Sequence, residues 1–183
     1  MASKGTKIAL IILGVVLIIA IAFVVMLWYV GLFATPELAI AEKGPYYYVY
    51  IDKTGPFTEF PVVQQQVDSL VKHQNIKVGI ACGTYLDDPA KIAQQNLNWR
   101  VGYIVVDSVK VEEPLNFMTI ARDQYLDALI KANPMVAPLR TSPAIHKWLT
   151  DNPYDASTES EAYALYHENG VVEVLFPIQK QTE

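Results

Sequence analysis

The sequence predicts an α+β domain behind an N-terminal transmembrane helix. Three observations carry this. Residues 8–33 form an apolar run without a charge. Beyond it, β-prone segments and helical apolar stripes follow in the order strand, helix, strand, strand, and a similar order recurs in the second half. The chain closes on two β-prone segments around Asn169-Gly170, a strong hairpin signal. Such elements bury their apolar faces best as a mostly antiparallel sheet with helices on one side.

The apolar run is longer than the roughly 20 residues that span a bilayer and much longer than the roughly 7–15 of a signal-peptide core. Trp28 and Tyr29 suit the far interface. A cleaved signal peptide ending near Ala39-Ile40-Ala41 is the competing reading. Lys4 and Lys7 precede the span, so the positive-inside rule puts the N-terminus in the cytoplasm and the domain on the exoplasmic side. The expected layout is a flank over residues 1–7, a span over 8–33, a tether over 34–43, a domain over 44–179 and a tail over 180–183.

Within the domain, residues 46–51 read as a strand, closed by the turn signal Lys53-Thr54-Gly55-Pro56. Phe60, Val63, Val67, Leu70 and Val71 then fall on one helical stripe, with Pro61 in the first turn. Residues 77–85 alternate as a strand, and residues 100–106 are apolar on both faces, as in a central strand. Between them Leu86-Asp87-Asp88-Pro89 reads as a turn. In the second half, residues 115–121 read as a strand and 123–132 as a helix carrying Tyr125, Leu126, Leu129 and Ile130. Ser142-Pro143 reads as the cap and first-turn proline of another helix, with Ile145, Trp148 and Leu149 inward. Residues 151–160 read as a polar loop, and 162–167 and 171–178 as the closing hairpin.

Composition excludes several function classes. One cysteine, Cys82, rules out a disulfide scaffold or a cysteine-type zinc site. All 19 acids lie beyond Phe33, so nucleic acid is not an expected partner. His73, His146 and His167 lack metalloprotease spacing, and no metal or other cofactor is expected. No GxSxG, Walker or dinucleotide motif occurs, so no catalytic residue is assigned. Cys82 alternates with Val78 and Ile80 and reads as a buried small apolar residue.

Two stretches resemble a known family. The strand Gly79-Ile80-Ala81-Cys82-Gly83-Thr84-Tyr85 running into Leu86-Asp87-Asp88-Pro89, followed by Trp99-Arg100-Val101-Gly102, is similar to a signature of GyrI-like effector-binding domains. There a strand ends in Tyr-x-Asp-Asp-Pro and the next opens with Arg-x-x-Gly or a near variant. Tyr166-His167-Glu168-Asn169-Gly170 and the following segment through Pro177-Ile178 resemble that family's closing hairpin. The resemblance covers roughly residues 44–179 and implies a tandem pair of strand-helix-strand-strand units. An anchor ahead of such a domain also resembles the layout of a membrane-tethered ER-phagy receptor with this module. That receptor's acidic tail, which carries its autophagy-binding motif, has no counterpart here, so its activity is not carried over.

The resemblance further implies a groove between the halves that takes hydrophobic or cationic small molecules against a carboxylate and aromatic rings. Glu173 occupies the acidic place in the last strand. It reads either as a groove carboxylate or as a solvent-facing residue, since it shares a strand face with Val171 and Leu175, opposite Val172, Val174 and Phe176. Tyr48, Tyr85, Tyr103, Trp148 and Tyr163 are the aromatic candidates, with core packing as their alternative use. The chain departs from the pattern at Ala164, where many members carry Glu two residues before the tyrosine. The resulting expectation is a single-pass membrane protein presenting a non-catalytic small-molecule-binding domain. The alternatives are a membrane-tethered scaffold for a protein partner, and a hydrolase using Glu173 or Glu161.

Overall fold

The computed structural model describes residues 4–87, 91–157 and 161–181. Helix α1 spans Lys4–Tyr29. Within it Ile12–Tyr29 has a mean hydropathy of 2.9 and none of it is buried against the domain, which suits a membrane span or a signal sequence alike. The helix stops four residues short of the expected end because Gly31 sits at a left-handed φ of +84°. Its N–H bonds to Trp28 and that of Leu32 to Leu27, the pattern of a Schellman C-cap.

The chain then enters the sheet almost at once. Strand β1 covers Glu37–Lys43, strand β2 Tyr46–Thr54, helix α2 Phe60–His73, strand β3 Val78–Tyr85 and strand β4 Asn98–Val105. The second half holds β5 (Asn116–Ile120), β6 (Asp123–Lys131), helix α3 (Ala137–Asp151), β7 (Tyr154–Ala156), β8 (Tyr163–Tyr166) and β9 (Val171–Lys180). The strand order is β1-β6-β9-β8-β3-β4-β2-β5, with β7 added to β9. The core units are β2-α2-β3-β4 and β6-α3-β8-β9, related about the central β8–β3 pair. The expected α+β fold with a tandem unit and an antiparallel sheet is therefore present.

The outer strands close the sheet. Lys43 pairs with Asp123 in the β1–β6 ladder, and Tyr46 pairs with Ile120 in the β2–β5 ladder. The pairing crosses the Gly44-Pro45 and Ala121-Arg122 corners without a slip. A Cβ on Gly44 would lie 2.8 Å from the Ala121 carbonyl, so the corners cross in contact. Two strands far apart in the sheet order are thus joined by two residues, which curls the sheet back on itself. Tyr48, Tyr50, Cys82, Tyr125, Leu165 and Leu175 fill the concave interior. The convex face packs against α2 through Val63, Val67 and Trp99, and against α3 through Leu126, Ala128 and Ile145.

Four expectations need correction. The tether over residues 34–43 is largely strand β1, because Leu38 and its neighbours find an open edge on β6. Residues 123–132, read as a helix, are strand β6. Tyr125, Leu126, Asp127 and Ala128 are buried in succession between β1 and β9, and a strand covered on both faces leaves no period to read. Helix α3 begins at Ala137 with Pro138 in its first turn, and Pro143 lies inside it. Both prolines satisfy the first-turn rule, and the one further upstream starts the helix. Tyr154–Ala156, read as loop, extends the sheet on β9. Of the expected Leu86-Asp87-Asp88-Pro89 turn, Asp88 and Pro89 lie outside the described residues. Asp87 Oδ2 accepts bonds from Asn98 N at 2.7 Å and Asn98 Nδ2 at 2.8 Å.

Candidate functional site

The period of two along β8 and β9 creates one apolar wall. Ala164 and Tyr166 on β8, and Val172, Val174 and Phe176 on β9, point to the helix-bearing side. Helix α3 crosses above them with Pro138, Thr141, Ser142, Ile145 and His146. The space left between is a cavity of about 320 Å³ at the junction of the two halves.

Its far wall is aromatic. Tyr85, at the end of β3, lies beside Tyr166 with the hydroxyls 3.4 Å apart. Phe57 packs edge-on against Tyr85, and Phe60 against Tyr166, at centroid distances of 4.5 and 5.6 Å. Gly83 leaves room for this, since a Cβ there would sit 3.1 Å from Phe60 and 3.2 Å from the Tyr166 hydroxyl. Burial pushes the Tyr166 phenol well above its ordinary value and raises that of Tyr85, so both stay neutral hydrogen-bonding groups. Thr141 is fully buried and spends its hydroxyl on the Ala137 carbonyl at 3.0 Å. The ionisable side chains among the lining residues are Asp87, held by Asn98, and His146, besides Tyr85, Tyr163 and Tyr166.

Of the sequence-chosen residues, Tyr85 and Tyr163 line this cavity. Tyr163 also meets Tyr48 edge-on at 6.4 Å inside the concave core. Tyr48 is fully buried there and donates to the Cys82 carbonyl at 3.1 Å. Tyr103 lies under α2 and donates to Asp68 Oδ1 at 2.6 Å. Trp148 packs against Tyr154 at 5.5 Å. Glu173 is buried on the face opposite the cavity. It accepts from Lys43 Nζ at 2.8 Å, and its other oxygen lies 2.7 Å from His167 Nε2. Glu161 is held by Arg100. Cys82 is fully buried and burial pushes its thiol up, leaving it a protonated core residue.

Tyr166, Thr141, Ile145, Val172, Val174 and Phe176 also line the cavity and were not singled out from the sequence as site residues. Alternation would have found most of them. Ala164 and Tyr166 are two apart and share one strand face, and Val172, Val174 and Phe176 form the face opposite Glu173.

Comparisons with known proteins agree with this architecture. EcmrR in its DNA complex superposes with a TM-score of 0.67 at 15% identity over 79% of this chain, and the match spans 58% of that chain. The isolated EcmrR C-terminal domain gives 0.65 at 15% identity over 79% of this chain and 98% of its own. SAV2435 bound to tetraphenylphosphonium gives 0.55 at 11% identity, over 78% and 94%. At these identities the likeness is one of fold. No curated protein matches the chain in sequence. The family model of the GyrI-like small molecule binding domain matches residues 36–179, beginning at the strand that closes the sheet, and the chain belongs to that family.

Proposed function

We propose that the domain binds an uncharged, hydrophobic small molecule in the cavity between its halves, without chemistry, and that α1 anchors it in a membrane as a single-pass protein. The observation that carries the ligand class is Ala164. It faces the cavity among Val172, Val174, Phe176 and Ile145, where a carboxylate would be needed to hold a cation. Glu173, the residue the family resemblance offers for that carboxylate, is committed to Lys43 on the other face. At about 320 Å³ the cavity is near the lower end of the roughly 300–1,000 Å³ that small-molecule sites occupy. The neighbour SAV2435, bound to an aromatic cation, supports a ligand of this bulk. The Tyr85 and Tyr166 hydroxyls offer the polar groups that would orient it.

The test is thermal unfolding of the full chain in nanodiscs against neutral, cationic and anionic aromatic amphiphiles. A ligand at about a hundred times its Kd adds about 2.7 kcal/mol. The expected result is stabilisation by neutral ligands that disappears in Ser142→Trp, which fills the mouth from an exposed position. Stabilisation by none of them, or stabilisation untouched by Ser142→Trp, overturns the reading. Lys4 and Lys7 favour a cytoplasmic N-terminus and an exoplasmic domain. Protease accessibility of the domain in sealed vesicles tests that side.

A further inference from the structure

The end of α1 is welded to the domain rather than tethered to it. The Val30 carbonyl accepts from Asn133 N at 2.9 Å, and Arg140 Nε donates to the Ala34 carbonyl at 3.0 Å. Gly31 is buried, and a Cβ there would come within 2.7 Å of Ala132. The helix axis therefore fixes which face of the domain meets whatever surrounds the helix end. That face is the start of α3 and the loop before it. It carries Met135 and Leu139, 54% and 64% exposed, and Phe33, 56% exposed, sits in the turn after α1. Large apolar side chains left in water at one end of a domain mark an interaction surface.

We infer that this face lies on a phospholipid bilayer, with Met135, Leu139 and Phe33 in the headgroup–acyl boundary and Trp28 and Tyr29 beside them. The inference rests on reading α1 as a membrane span. The occupant follows from continuity, because the apolar residues adjoin the last turn of the helix through bonds that leave no free linker. Near this end Lys131 lies beside Tyr29 and Arg140 bonds to Ala34, while Glu37 opens β1 just beyond, so the charges largely offset and the attraction is chiefly apolar and interfacial. Pro134 and Pro138 belong both to this face and to the cavity wall, which puts that end of the cavity at headgroup level.

The experiment uses the full chain in phosphatidylcholine vesicles. An environment-sensitive dye is attached at Met135→Cys, Leu139→Cys or, as control, Val106→Cys, which is 78% exposed in the other half. Each is made in a Cys82→Ala background, and lipids brominated near the headgroup act as quencher. Resistance of α1 to alkaline extraction is read on the same samples. The expected result is an extraction-resistant protein whose labels at 135 and 139 shift to the blue and lose most of their emission to brominated lipid, while the label at 106 does neither. An extraction-resistant protein with water-like emission at 135 and 139 overturns the docking and leaves the span standing. Release of the protein by alkali overturns the span, and the docking with it.

Discussion

Lys43 and Glu173 are 130 positions apart in the chain and 2.8 Å apart in space. The same ammonium lies 2.8 Å from Asp127 Oδ2, so one lysine on the closing strand bridges two buried carboxylates from β6 and β9. Removing it leaves those carboxylates facing each other with only the His167 ring, 2.7 Å from Glu173, beside them. Lys43→Met is expected to cost about 3 kcal/mol, the lower end for breaking a buried pair, because the lysine itself is partly solvated. Urea unfolding measures the loss. Lowering the pH into the carboxylate range restores part of it, and so does adding Glu173→Gln. A variant as stable as the parent would mean the cluster is solvent-screened.

The same cluster sets an alkaline limit. Burial alone would lower the Lys43 value, but hydrogen bonds and charge from Asp127 and Glu173 outweigh it and hold the ammonium above its ordinary 10.5. Burial, with the Asp68 hydrogen bond and charge, pushes Tyr103 up to about 12. Both groups have folded values above their unfolded ones. Their stabilisation is complete below pH 10 and lost as pH rises through the raised values. Unfolding followed by circular dichroism is expected to set in above pH 10, and at lower pH in Lys43→Met. Asp127 is raised as well, chiefly by burial, so its term also favours the folded state at low pH and fades as the group ionises. It does not contribute to acid unfolding.

Gly102 tests why the family signature contains a glycine. A Cβ at this position would lie 1.9 Å from the Val49 carbonyl oxygen on the neighbouring strand, where nothing flexible can yield. Gly102→Ala is expected to cost at least about 3 kcal/mol, the upper end for overpacking, and to leave little folded protein. Guanidinium unfolding of the soluble fraction, or its absence, checks this.

That signature was legible because it is structural. Trp99 donates to the Gly55 carbonyl at 2.9 Å in the core, Arg100 pairs with Asp52 and Glu161, and Asp87 accepts from Asn98. Helix α2 was legible because it has one buried stripe, Val63, Val67 and Val71. Strand β6 was not, since burial on both faces erases the period that separates a strand from a helix. Strand β1 was not, because its partner lies some 80 residues away and its own pattern is weak. The cavity was half legible. Tyr85 and Tyr163 stood among the aromatic candidates, whereas the α3 residues depended on knowing where that helix starts. Glu173 stayed ambiguous for a local reason: a glutamate between apolar neighbours looks the same whether it faces a groove or a lysine.

Gly31 is the point at which the anchor is joined to the domain. An L-residue in its left-handed conformation costs about 1–2 kcal/mol before any contact with Ala132 is counted. Gly31→Val is expected to undo the α1–domain weld while β1 and the core stay folded. Hydrogen exchange at the Asn133 amide, which bonds to Val30, should accelerate severalfold with the β8 amides unchanged. Unchanged exchange at Asn133 would mean that the weld tolerates a side chain.

Ala164→Glu tests the ligand class from the opposite direction. The position faces the cavity, and the new carboxylate would stand among Val172, Val174 and Ile145 near the Tyr85 and Tyr166 rings. A carboxylate in that poorly solvated space attracts an aromatic cation through both charge and ring faces. Affinity for tetraphenylphosphonium is expected to rise at least about tenfold, or 1.4 kcal/mol, over the parent, with binding of neutral ligands weakened by the desolvation they impose on the carboxylate. The gain should vanish at low pH as the carboxyl protonates. Its pKa will already be raised by burial, so the midpoint of that loss should lie above the ordinary glutamate value. Titration calorimetry at two pH values reads both effects. A variant that folds and yet gains no cation affinity would place the ligand site elsewhere in the domain.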